Sequence, residues 1–298
     1  MDYLAIRGFL EQTSIEHYFD VKTSDLVSFR VGGYGKVAIY PKDIAELSVL
    51  IKYLQNEKYI ILGNGTNCYF TDNYYDGAII VTNRINRVSV DKEYISAQCG
   101  ASLTRVCKIA LEESLSGLEF AYGIPGTIGG ALYMNASAFG EEIGSTVVSS
   151  TVLDLNSGDI YELSAEEHKF GKKYSVFQEK NLCALETRLK CYPSSYDKIL
   201  SKMNENSEYR RTTQPLDFPS AGSTFVKPED DYASRLIDSA GLKGARIGDA
   251  QVSLKHAGFI INRENATADE VKSLINLIKD TIYKKFKINL TEEIIYIE

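Results

Sequence analysis

GIPGTIGGALYMNASAFGEEIG (123–144) packs four glycines and a proline into its first eight residues, and small side chains dominate the remainder. Such a run sets an unusual backbone path and leaves room for a planar or extended ligand to approach the main chain. Alone, it reads equally well as a glycine-rich packing corner. A second strip, LGNGTN (62–67), ends the short apolar run YIIL (59–62). It lacks the third glycine of a Rossmann fingerprint, the TNCYFTDNYYDG that continues it does not open a helix, and no Walker lysine and serine follow. There remains a turn whose backbone N–H groups can line an anion nest. Two such strips in one domain favour a long dinucleotide spanning both.

Working outward, VAIYP (37–41), DIAELSVLIKYL (43–54) and YIILGNG (59–65) read as strand, helix and strand. Ile44, Leu47, Leu50, Ile51 and Leu54 recur at helical spacing, and Asp43 stands at the cap position. Residues 78–100 read as successive strands broken at Asn-rich and Asp-Lys turns. SLTRVCKIALEESL (102–115) returns to helical period, with Leu103, Val106, Cys107, Ala110 and Leu111 on one face. TVVSSTVLDL and CALETRLKCY are strand-like, and 194–215 is polar and partly helical. TADEVKSLINLIKDTIYKKF (267–286) carries a capping box from Thr267 to Glu270 and an apolar face of Val271, Leu274, Ile275, Ile278 and Ile282. The terminal FKINLTEEIIYI is strand-like. The expected class is α+β, with a domain boundary inside 194–215.

The chain has 298 residues, 44% hydrophobic and 24% charged, which is ordinary for a globular protein. Its 40 acidic and 33 basic side chains give a net charge of -7, a field that repels nucleic acid overall. Five cysteines (68, 99, 107, 183, 191) form no C-x-x-C pair and read as buried thiols of a reducing compartment. No metal site is expected. The N-terminus lacks a signal-type apolar run, and no window reaches the ~18 apolar residues of a membrane span. A cytoplasmic protein is expected, with neither membrane nor nucleic acid as partner.

Three further stretches invite chemistry. SAGSTF (220–225) is not a G-x-S-x-G elbow, and three histidines (His17, His168, His256) are few for a catalytic triad. RRTTQP (210–215) reads either as a solvated cation pair or as a phosphate clamp. Period two along the last run sets Glu293 on the face opposite Ile294, so one of Glu292 and Glu293 points inward. An inward glutamate must be paired or functional.

Together these strings resemble the UDP-N-acetylenolpyruvoylglucosamine reductase family, in its type II form. SFRVGG (28–33), LGNGTN, YGIPGTIGGALYMNASAFGEEI (122–143), RRTTQP, SAGSTF, GLKGARIGDAQVSLKHAGFIIN (241–262) and TEEIIYI keep the family's order over nearly the whole chain. The resemblance implies a vanillyl-alcohol-oxidase (PCMH-type) FAD-binding region of two subdomains, 1–85 and 86–200. A C-terminal α+β substrate domain, 201–298, would come after it, its last strand returning to the active site. The resemblance also implies non-covalent FAD held by Arg30, Gly32, Gly33, Gly63, Asn64, Gly65, Thr66, Asn67, Gly123, Pro125, Gly126, Thr127, Gly129, Gly130 and Asn135. LGNGTN would cradle the diphosphate. NADPH is the implied co-substrate, and the implied substrate is the nucleotide sugar UDP-N-acetylglucosamine enolpyruvate, reduced by a monomer during peptidoglycan precursor synthesis.

By the same resemblance Ser223 is the proton donor and Glu293 holds or protonates the enolate side, with Glu292 as the alternative acid. Arg210, Arg211, Gln214, Lys227, Gln251 and His256 would bind substrate. The chain departs from the family at FGKKYS (170–175), where the usual F-G-Y-R-D-S places an arginine at the position of Lys173. Lysine keeps the charge but loses the planar two-point grip on a carboxylate. An uncompensated loss costs ~1–3 kcal/mol, roughly 10- to 100-fold in rate. Two other readings stand beside this one: a different PCMH-type flavin oxidase, resting on the glycine strips, and a weakly active flavin-binding paralogue, resting on Lys173.

Overall fold

The computed structural model describes residues 2–298. The chain forms two units built from separated stretches. One comprises the chain up to Tyr18, Val37–Asn64 and Gly77–Tyr209; the other comprises Phe19–Lys36, Gly65–Asp76 and Arg210–Glu298.

In the first unit the strand–helix–strand opening forms as its periodicity dictates. Helix Ile44–Tyr53 buries Leu47, Leu50 and Ile51, and Asp43 caps it by accepting from the Glu46 N–H at 2.8 Å. Strand Tyr59–Leu62 then runs parallel to Ala78–Val81, which leaves the glycine turn at its C-terminal end. An antiparallel sheet of five strands comes next, in the order Ile160–Ser164, Val147–Asp154, Leu182–Lys190, Tyr94–Gln98 and Val88–Asp91. Helix Leu103–Glu112 buries the five residues of its apolar face. They join Ile95, Phe120, Ile128, Leu132 and Leu189 in one core, where each large side chain contributes ~1.5–3 kcal/mol of burial.

The polar stretch 194–215, expected to be partly helical, is an 18-residue helix, Tyr196–Thr213. Its buried seam is one residue wide, Ile199, Met203 and Asn206. Such a seam leaves little amphipathic signal in the sequence. Asn206 donates to the Glu119 carbonyl oxygen at 3.0 Å, so even its third buried position is polar.

The second unit carries an antiparallel sheet in the order Ser220–Ser223, Phe259–Asn262, Ala250–Val252 and Arg246–Ile247. Helix Ala268–Phe286 begins with the expected capping box and buries Val271, Leu274, Ile275, Ile278 and Ile282. Asp72 adds a cap from a distant part of the chain, its two oxygens accepting from the Ala268 and Asp269 N–H groups at 2.9 and 3.2 Å. The core of this unit also takes in Phe29, Val31, Tyr69, Leu236, Ile237 and Ile260. The last strand, Ile295–Ile297, pairs in parallel with Cys68–Phe70. All five cysteines are buried and free of disulfides. No helix among the described residues is long and apolar enough to cross a membrane.

His168 lies fully buried in the first unit. Its Nε2 meets the Ser150 hydroxyl at 2.9 Å, Ser150 meets Thr187 at 2.9 Å, and Nδ1 meets the Ser164 carbonyl oxygen at 2.7 Å. Burial pulls the imidazole pKa below its ordinary 6.5. As pH falls through that value, the unfolded chain takes up a proton the folded one refuses, so this contribution to stability is whole above it and lost below. Urea unfolding at about pH 7.5 and 5.5 should therefore show a smaller acid-side loss for His168→Gln than for wild type. Equal losses would place the acid sensitivity elsewhere.

Candidate active site

In the first unit the two glycine strips lie against each other. A Cβ at Gly63 would stand 2.2 Å from the Thr127 Oγ1, and the Asn64 carboxamide donates to the Pro125 carbonyl oxygen at 3.0 Å. Only glycine at 63 permits that approach. Thr127 caps a short helix, Ile128–Tyr133, by accepting from the Gly130 N–H at 3.3 Å. The Ile128 and Gly129 N–H groups donate to the Ala101 and Cys99 carbonyl oxygens at 2.9 and 2.8 Å. Gly126 accepts from the Leu103 N–H at 3.1 Å, while Gly123, Pro125 and Gly130 are exposed.

The turn at 63–67 keeps its donors uncommitted. Among the described residues, no hydrogen bond uses the backbone N–H of Asn64, Gly65 or Thr66. Gly65 takes a φ of +60°, and a Cβ there would meet the Leu26 carbonyl oxygen at 2.2 Å. Consecutive free N–H groups around a left-handed glycine form an anion nest. These residues fit the diphosphate of a flavin dinucleotide.

In the second unit, Ser28 is tied at two points. The Ser28 N–H donates to the Gly65 carbonyl oxygen at 3.0 Å, and the Ser28 hydroxyl donates to the Ser220 carbonyl oxygen at 2.7 Å. Arg30 is exposed, its carbonyl oxygen accepting from the Asn262 carboxamide at 3.1 Å. Gly33 donates to the Thr71 carbonyl oxygen at 2.9 Å, and Gly32 is half-buried beside it.

Ser223 and Glu293 lie on neighbouring segments of this unit. Ser223 ends the edge strand opposite Phe259, and Thr224 is fixed by donating to the Gly258 carbonyl oxygen at 2.8 Å. The Glu293 N–H donates to the Thr224 carbonyl oxygen at 2.9 Å, and Phe225 bridges Glu292. The Asn67 carboxamide donates to the Glu293 carbonyl oxygen, and the Ile295 N–H to the Asn67 carbonyl oxygen, both at 2.9 Å. Glu292 turns outward to pair with Lys279 at 3.0 Å, whereas Glu293 is half-buried.

Lys173 belongs to the first unit and sits in a two-residue turn. Gly171 and Tyr174 exchange N–H···O bonds of 3.0 and 3.2 Å across Lys172 and Lys173. The Lys173 φ is +55°, a left-handed conformation that costs a non-glycine residue ~1–3 kcal/mol. Asn135, fully buried, spends its carboxamide on this region, donating to the Gly171 carbonyl oxygen at 2.8 Å and accepting from the Gly144 N–H at 3.0 Å.

The expected substrate residues all fall in the second unit. Burial lowers the Arg210 guanidinium pKa, and Gln214 donates through its N–H to the Arg210 carbonyl oxygen at 2.9 Å. The Arg211 carbonyl oxygen accepts from the Lys255 ammonium at 2.6 Å. Lys227 lies over the Tyr232 ring, 4.1 Å from its centroid. Gln251 is held between Gly244 and Arg263 at 3.0 and 3.1 Å. His256 packs edge-on to Phe259, and burial, with Lys243 nearby, lowers its pKa. Sequence reasoning missed the side-chain links of Asn67 and Asn262, whose residues stood inside quoted strings.

Comparison with known proteins bears on this arrangement. Residues 35–164 match the model of an FAD binding domain, and residues 214–297 match that of the C-terminal domain of UDP-N-acetylenolpyruvoylglucosamine reductase. The UDP-N-acetylenolpyruvoylglucosamine reductase of Clostridium tetani is 41% identical over 284 residues, 93% of this chain and 92% of that protein. This chain belongs to the UDP-N-acetylenolpyruvoylglucosamine reductase family. The Caldanaerobacter subterraneus reductase is 44% identical over 269 residues, covering 90% of this chain and 89% of the relative. The Thermus caldophilus enzyme, known from its crystal structure, superposes with a TM-score of 0.81 at 29% identity, over 95% of this chain and 99% of that one. The fold is therefore that of a reductase of this family, an FAD-dependent oxidoreductase. Gly63→Ala should cut the flavin-to-protein ratio after purification severalfold, because the new methyl must part the two strips. Full retention of flavin would show that their contact is dispensable.

Proposed function

We propose that this chain reduces the enolpyruvyl group of UDP-N-acetylglucosamine enolpyruvate to give UDP-N-acetylmuramate, with NADPH as reductant, in the cytoplasmic supply of peptidoglycan precursor. The observation that carries the reading is the backbone tie between Thr224 and Glu293, which sets Ser223 and Glu293 on neighbouring segments. FAD, when bound, carries the hydride from NADPH to the substrate double bond. Hydride addition at the methylene carbon leaves an enolate beside the substrate carboxylate, and the carbon bearing the ether oxygen then requires a proton. Ser223 supplies that proton from a hydroxyl held at the end of its strand.

Glu293 acts at the same end of the substrate, the outward Glu292 being engaged by Lys279. Lys173 stabilises the developing negative charge with a single ammonium where the family pattern has an arginine. Arg210, Arg211, Gln214, Lys227, Gln251 and His256 form the nucleotide-sugar site, with the cations directed to the UDP diphosphate. The exposed glycine strip and the free N–H groups at 64–66 hold the flavin. Five reduced, buried thiols support a reducing compartment.

Stopped-flow separation of the half-reactions tests these roles. Ser223→Ala should leave flavin bleaching by NADPH within about twofold while slowing colour return with the enolpyruvyl nucleotide by ~100-fold or more. Equal slowing of both steps would contradict the proton-donor assignment. Lys173→Arg should speed colour return about tenfold, ~1.4 kcal/mol. An unchanged rate would show that lysine already supplies the full stabilisation.

A further inference from the structure

We infer that Gln178 is a positioning residue for Lys173, holding the 171–174 turn so that the lysine is presented to the substrate. The inference rests on the role proposed for Lys173. The Gln178 carboxamide faces two carbonyl oxygens, that of Lys173 at 2.9 Å and that of Tyr133 at 2.7 Å. Two acceptors at one amide end identify that end as the nitrogen, because only the NH2 has two hydrogens to give. One hydrogen therefore fixes the peptide leaving Lys173, and the other anchors it to the end of helix Ile128–Tyr133.

The same carbonyl oxygen of Tyr133 also accepts from the Ser175 hydroxyl at 2.9 Å, so Ser175 and Gln178, both beyond the turn's exit, meet at one point. At the entrance, Asn135 holds the Gly171 carbonyl oxygen at 2.8 Å, and Phe170 stacks on the buried His168 ring with centroids 5.0 Å apart. A left-handed lysine persists only where its surroundings over-determine it. Here three side-chain donors and a stacked ring surround a turn of two residues. Gln178 is the member of this set that bonds the Lys173 peptide itself. It is also exposed, so its removal opens no cavity in the core.

The test is a double-mutant cycle with the flavin-loaded, NADPH-reduced protein, reading colour return on mixing with UDP-N-acetylglucosamine enolpyruvate. Gln178→Ala should slow that step about tenfold and leave bleaching by NADPH within twofold. Gln178→Glu, which keeps the length and loses both donors, should behave alike. In the Lys173→Ala background, Gln178→Ala should add less than a factor of two, because a residue acting only through Lys173 has nothing left to position. Independently of turnover, the Gly171 and Tyr174 amides, which close the turn, should exchange hydrogen at least tenfold faster in Gln178→Ala.

Multiplicative effects in the double variant, or unchanged amide exchange, would overturn the positioning role while leaving the assignment of Lys173 intact. If Lys173→Ala alone returns colour at the wild-type rate, the role of Lys173 fails and the inference fails with it.

Discussion

The parallel pairing of Ile295–Ile297 with Cys68–Phe70 is the constraint on which the geometry of the second unit depends. The strand after the glycine turn and the strand that closes the chain are separated by most of the sequence and can meet only once the unit has folded. Asn67 makes the join directional. Its side chain holds the Glu293 carbonyl oxygen and its own carbonyl oxygen takes the Ile295 N–H, so register cannot slip by one residue without breaking both. Once that register is set, Glu293 lies beside Thr224, and Ser223 is its neighbour. The aromatic rings reinforce it: Tyr69 packs on Tyr296 at 5.2 Å and on Phe29 at 6.0 Å.

The first unit solves a different problem, how to bring main chain close to main chain around a flat ligand. Gly63 against Thr127 draws the two strips together, and the cost of so much glycine is offset by the apolar face of helix Leu103–Glu112 and the sheet beneath it. The turn at Lys173 belongs to the same logic. Strain at one residue is tolerated because Asn135, Ser175 and Gln178 satisfy the carbonyl oxygens around it.

Much of this was legible in the residues themselves. Helices 44–53, 103–112 and 268–286 follow from apolar spacing and caps, because each buries a broad face in its own unit. Helix 196–213 was only half visible, since its seam is narrow and ends in a buried asparagine. The glycine strips announced a close approach but not their partners: nothing in LGNGTN names Thr127, and nothing in the sequence names Asp72 as a cap for a helix that starts at Ala268. The carbonyl partners of Asn67, Asn135 and Gln178 were invisible for the same reason. A carboxamide's meaning lies in the carbonyl oxygens it reaches, and these are set by tertiary structure. Ser223, Glu293 and Lys173 came from family resemblance rather than from physics.

In the proposed function this chain passes reducing equivalents to an enolpyruvyl nucleotide sugar. The most direct measurement is an anaerobic single turnover of the wild-type protein, bleached with one equivalent of NADPH and then mixed with UDP-N-acetylglucosamine enolpyruvate. Rapid return of the yellow colour and a product heavier by two hydrogens are expected. A flavin that stays bleached with this substrate and recolours only when oxygen is admitted would contradict that function.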